Sequence, residues 1–170
     1  MKQKKSASHK AEDFDSKFED KVLYINRCSK VVKGGRKFSF SALILVGDGQ
    51  GNIGFGFAKS NEVSDAIRKG TEAAKKNIFS FEREGTTIPH EISVEWDGAR
   101  VLLRPAPVGT GVIAGSKVRS VLELGGVMDV VAKSSGSNNP LNQVRATLKA
   151  LGSLKNRAET MKKRGKEVLC

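Results

Sequence analysis

Apolar residues are sparse over residues 1–20, where only Phe14 and Phe18 interrupt a polar stretch of mixed charge. That stretch reads as an arm, either one that orders on a partner or a solvated tail without a role. From Lys21 the pattern is that of strands. Leu23, Ile25, Val31 and Val32 belong to a first strand reaching Lys33, and Gly34-Gly35 supplies the positive φ angles of a two-residue hairpin turn. On the return strand Arg36, Phe38, Phe40, Ala42, Ile44 and Val46 share one face, while Lys37, Ser39 and Ser41 share the other. A glycine-rich turn over residues 47–51 leads to a third strand, with Ile53, Phe55 and Phe57 on one side and Gly54, Gly56 and Ala58 on the other.

Helical spacing follows. Val63, Ala66, Ile67, Gly70, Ala73, Ala74, Ile78 and Phe81 form one stripe of a helix expected from about Asn61, its N-cap, to Phe81. Glu84-Gly85-Thr86-Thr87 is a polar break. A second unit opens with Ile92, Val94 and Trp96, an Asp97-Gly98 turn and a return over Val101 to Arg104. A long loop over residues 105–111 runs through Val112 and Ile113 into a short helix that buries Val118, Val121 and Leu122 and ends at Gly125-Gly126. Val127 to Lys133 reads as a strand and residues 134–139 as a loop. Asn139 then caps a helix with Pro140 in its first turn and Leu141, Val144, Leu148 and Leu151 as its stripe. The expected fold is α+β in two small domains, β-β-β-α over 21–84 and β-β-α-β-α over 85–154, between a flexible arm (1–20) and a basic tail (155–170).

Charge changes this picture from a fold to a partner. The 170 residues hold 30 Lys+Arg against 18 Asp+Glu, a net charge of +12. Such a surplus favours a polyanion, because clustered cations release counterions condensed on phosphates. Two distant cysteines, Cys28 and Cys170, and two histidines, His9 and His90, have no metal-ligand spacing and form no disulfide framework, so the expectation is no metal, no cofactor and a reducing, cytoplasmic location. No apolar run reaches the length of a membrane span, so no membrane partner is expected.

The charges cluster at the first hairpin, where Arg27, Lys30, Lys33, Arg36 and Lys37 stand without an acid among them. An edge hairpin guarded against aggregation would explain lysines alone; five cations around a slim Gly34-Gly35 tip point to RNA phosphates. Neutralising about five phosphates would give a slope of log K on log salt near about −4. Phe38, Phe40, Phe55 and Phe57 are expected in the core beneath the helix rather than stacked on bases. Residues 49–54 match G-x-G-x-x-G, but they open a strand and not a helix, so the match is a turn. The stretch ending Ala58-Lys59-Ser60 lacks the glycine that a P-loop places before its lysine. His9 and His90 lack an acid or nucleophile partner, so no catalytic residue and no small-molecule substrate is expected. Asn138, Asn139 and Arg145 are candidates for extending a basic, amide-rich RNA surface, with capping and solvation as their ordinary roles.

Longer stretches carry a resemblance. Residues 34–43, 46–49 and 54–56, with Asn26-Arg27, Val32-Lys33 and Ala58-Lys59, resemble the family of bacterial small-subunit ribosomal protein five. So do Arg104-Pro105-Ala106, residues 109–115 and Gly136-Ser137-Asn138-Asn139-Pro140, although Asn138 stands where Thr is expected. The resemblance covers roughly residues 20–165. It implies a double-stranded-RNA-binding-like first domain lacking its first helix and a βαβ-type second domain. It also implies a structural, non-enzymatic constituent of the small ribosomal subunit that supports assembly, decoding accuracy and the intake of mRNA. Small-subunit rRNA, ribosomal proteins four and eight and incoming mRNA are the implied partners. Ser29 to Phe38 would project into RNA, Lys59 would join those contacts, and Gly111 and Arg119 would face protein four. A free double-stranded-RNA-binding module is the alternative, and a small nucleotide-dependent enzyme a distant third.

Overall fold

The computed structural model describes residues 18–165; His9, Cys170 and nearly all of the expected arm lie outside them. The first unit comprises β1 (Glu19–Val32), β2 (Gly35–Gly47), β3 (Asn52–Ser60), α1 (Val63–Lys76) and β4 (Ile78–Ser80). The second comprises β5 (Ile92–Trp96), β6 (Ala99–Pro105), β7 (Val112–Ile113), α2 (Ser116–Leu124), β8 (Val130–Gly136) and α3 (Pro140–Gly152), followed by α4 (Arg157–Lys163). One sheet has the order β1-β2-β3-β4 and is antiparallel throughout. The other has the order β5-β6-β8-β7, with only β7 parallel to its neighbour.

The α+β class and both hairpins agree with the reading of the residues, and several boundaries differ. Val32 pairs with Gly35, so the first turn is Lys33-Gly34 and not Gly34-Gly35, although both glycines keep positive φ. Helix α1 stops at Lys76 because Ile78–Ser80 pairs with β3 as a fourth strand. Glu62, not Asn61, precedes its first turn, and no side chain caps it. Val112–Ile113 forms a strand, and β8 spans Val130–Gly136, taking in residues expected in a loop. Part of the expected tail is helix α4. The Asn139 cap stands, its Oδ1 accepting the Leu141 N–H at 3.2 Å.

Strand β2 is buried on both faces from Ser41 to Gly47. Ala42, Ile44 and Val46 pack with Ala66 and Ala74 of α1. Leu43 and Leu45 join Ile53 in a core otherwise built from the second unit, including Leu103, Val121, Leu122 and Leu151. Each fully buried Leu or Ile contributes about 1.5–3 kcal/mol relative to exposure, so this shared core binds the two units firmly. Helix α1 does not lie over Phe55 and Phe57 of β3. It lies on Gly54 and Gly56, where a Cβ would drive into the backbone of Ala74 and Gly70. Ile53, Phe55 and Phe57 therefore face the other way, toward the second unit.

The seam between units is backbone on backbone. Gly49 N–H donates to the Leu124 carbonyl at 3.0 Å and Gly51 N–H to that of Gly125 at 3.1 Å. Arg83 reaches the carbonyls of Gly49 and Gly126 at 3.5 and 3.4 Å. A Lys21–Glu123 ion pair at 3.0 Å adds a link that, half-exposed as it is, is worth at most about 1 kcal/mol.

Candidate nucleic-acid interface

Strand β3 pairs with β2 only as far as Phe40, so the hairpin continues alone from there to its tip at Lys33-Gly34. Five residues of β2 beyond that point extend the ribbon by about 17 Å. Arg27, Lys30, Lys33, Arg36 and Lys37 are all exposed on it, and none makes an ion pair among the described residues. Cross-strand partners share a face, so the register sorts the charges. Lys30 stands directly opposite Lys37 on one face; Arg36, Arg27, Ser29 and Phe38 belong to the other. Lys33, Gly34 and Gly35 form the tip, and no atom lies within 4 Å of where a Cβ of either glycine would stand. Like charges placed opposite destabilise a ladder by roughly 0.2–1 kcal/mol unless an anion lies between them.

Phe38 is 45% exposed rather than in the core, because the sheet outgrows its helix there. The Arg27 guanidinium stacks on its ring at 3.7 Å, which holds the fork flat with its N–H edges free. Phe57 is equally exposed, while Phe40 and Phe55 are half-buried. Lys59 lies on the face of Lys30 and Lys37 through the pair Lys59↔Ser41, with its ammonium 6.0 Å from the Phe57 ring. Arg145 of α3 reaches the same face, 5.8 Å over Phe55. The structure thus places Lys59 and Arg145 on the sheet face of Lys30 and Lys37, from which sequence separation had kept them apart.

Asn138 and Asn139 stand elsewhere, at the start of α3. Asn139 is occupied as the cap, and Asn138 Oδ1 accepts from Gln143 at 3.5 Å. Gly111 and Arg119 sit at a different corner, where Val108, Ile113, Met128 and Val131 are exposed. Arg119 donates to the Ala114 carbonyl at 3.1 Å. Gly109 and Gly111 donate their N–H groups to Asp129 at 2.9 and 3.0 Å. The Gly111 N–H first, and then the Thr86 hydroxyl, hold the Asp129 carboxyl below the usual carboxylate range against the opposing effect of burial.

A lowered folded-state pKa means that this clasp is fully formed above the unfolded carboxylate value, about 4, and is lost as pH falls through the folded one. Amide-exchange protection at Gly109 and Gly111 is therefore expected to stay level from neutral pH down to about pH 5 and to fall below about pH 4. An Asp129→Asn chain should show weak protection throughout.

Among the described residues, the other chemistry-bearing groups hold local structure. His90 Nε2 accepts the Lys155 N–H at 3.1 Å, which leaves Nδ1 to donate to the Glu91 carbonyl at 2.9 Å, so neither nitrogen is free to act as a base. Burial opposes ionisation of Asp48, but hydrogen bonds from Asn52 and the Gln50 N–H outweigh it, so the G-x-G-x-x-G stretch is a carboxylate-pinned turn. Cys28 Sγ lies 3.9 Å from Ser41 Oγ. No helix among the described residues is long and apolar enough to cross a membrane.

Comparison with known proteins gives one family for both units. Residues 18–82 match the family description "Ribosomal protein S5, N-terminal domain", and residues 94–164 match "Ribosomal protein S5, C-terminal domain". The chain is 65% identical over 164 residues to the small ribosomal subunit protein uS5 of Protochlamydia amoebophila, covering 96% of this chain and 98% of that one. It is 61% identical over 158 residues to the uS5 of Chlamydia abortus, covering 92% and 93%.

Proposed function

The chain belongs to the ribosomal protein S5 family, and from that premise we propose that it holds small-subunit rRNA through its basic hairpin, by charge and placement rather than covalent chemistry. The supporting observation is the ribbon itself: a narrow projection with cations on both faces and at its tip, none of them ion-paired among the described residues. A surface that met one flat partner would need charge on one face only. A ribbon charged on both fits between two phosphate backbones, where Lys30 and Lys37 find the anion that their pairing lacks.

Lys59 and Arg145 extend this interface along the sheet, and Asn138 and Asn139 offer a separate amide contact at the start of α3. In the proposed reading the chain is divided near Glu84, the hairpin supports subunit assembly and decoding accuracy, and the sheet lies toward incoming mRNA. The corner at Gly111 and Arg119 faces ribosomal protein four, supported by the exposed Val108, Ile113, Met128 and Val131 around it. Ribosomal protein eight is the other proposed neighbour.

Sedimentation of tagged protein from gently lysed cells through a sucrose gradient tests this reading. Co-migration with small subunits and whole ribosomes in moderate salt is expected. A peak only at the top of the gradient would overturn it in favour of a free double-stranded-RNA-binding module.

A further inference from the structure

Two aromatic residues that the hairpin reading does not use, one on β1 and one on β3, lie on the sheet face turned away from α1. Tyr24, Leu43 and Phe57 form one cross-strand row over β1, β2 and β3. Leu43 is buried, whereas the flanking rings are 47% and 45% exposed. Leu43 is the last residue of β2 on this face to join the core shared with the second unit; Ser41 in the next row is still buried, between exposed Asn26 and Lys59. The next row toward the hairpin is Asn26, Ser41 and Lys59, then come Cys28 and Ser39, then Lys30 and Lys37. From Tyr24 to the tip these strands carry no acid.

We propose that this face binds an unpaired RNA segment, stacking two of its bases on Tyr24 and Phe57. The proposal rests on the RNA-binding reading above and adds a second mode to it: the hairpin takes phosphates, and the sheet takes bases. A duplex keeps its bases stacked on one another, so flat rings on an open sheet serve splayed nucleotides. The rings stand two strand spacings apart, about 10 Å, with room for bases lying side by side. Asn26 and Lys59 in the adjoining row supply groups for base edges and backbone, and Arg145 sets a further cation beside Phe55 on the same face. Aromatic residues that merely rimmed the core would also be half-exposed, but they would have no reason to prefer single strands.

The test uses the full chain with fluorescein-labelled oligouridylate and a labelled RNA duplex of equal length, read by anisotropy. Tyr24→Leu with Phe57→Leu keeps apolar bulk and removes the π faces. It is expected to weaken oligouridylate binding about tenfold while changing duplex binding by less than about twofold. Tyr24→Phe with Phe57→Tyr is expected to retain both. Unchanged oligouridylate binding by the leucine variant, or equal losses for both probes, would overturn the proposal. The Lys33→Glu, Arg36→Glu chain, run in parallel, separates the two readings, because duplex binding that survives those changes sinks the hairpin assignment whatever the sheet does.

Discussion

A chain carrying Lys33→Glu and Arg36→Glu is expected to bind structured RNA at least about thirtyfold more weakly than the unaltered chain. Each replaced cation gives up a charge-assisted contact of about 1.5–3 kcal/mol and sets a carboxylate against phosphate. The slope of log K on log salt should shrink from about −4 to about −2, since two fewer phosphates are neutralised. Stability should barely move, within about 0.5 kcal/mol, because both side chains are exposed and neither is ion-paired among the described residues. Filter binding across a salt series, paired with urea unfolding, measures both. Near-unaltered binding at low and moderate salt would refute the hairpin assignment.

The largest stability effect is expected at the seam between units. Gly126 has φ +79°, and a Cβ there would run into the Gly49 carbonyl. Gly126→Val thus combines a left-handed strain with a collision against backbone that is itself fixed by hydrogen bonds to Leu124 and Gly125. A loss of at least about 3 kcal/mol is expected, seen as a fall in the urea midpoint. Gly85→Ala is the control. Gly85 has a similar φ of +61° with nothing within 4 Å of the added Cβ, so it should cost only about 1 kcal/mol. Equal losses for the two would mean that backbone conformation alone, and not the seam, sets the penalty.

What could be read from the residues was what local chemistry decides. Asp97-Gly98 makes its turn with φ of +47° and +77°, and Asn139-Pro140 opens its helix, because those pairs carry their own conformational preferences. The end of α1 was overrun because Ile78 and Phe81 also fit helical spacing, and only pairing with β3 decides for strand. Residues 42–46 are apolar without a break, the mark of a strand buried on both faces, yet alternation alone assigned just one of them. The hairpin charges were visible as a cluster. Their direct opposition was not, since placing the turn one residue late moves every cross-strand partner by two, which keeps each residue on its face but hides Lys30 opposite Lys37. Phe38 and Phe57 were misplaced for a related reason: periodicity says which face a ring occupies, not how far along that face its cover extends.

The strand shared by both cores also sets a schedule. Synthesis delivers β1 to β4 before α2 and α3 exist, so the nascent first half must present Leu43, Leu45, Ile53 and Phe55 to solvent until the later half arrives to seal them. A chain interrupted midway is thus a sticky fragment and not a small finished domain. Prematurely ended copies should collect in aggregates or on holdase chaperones, which keeps them from competing with full-length chains for a place in a growing particle.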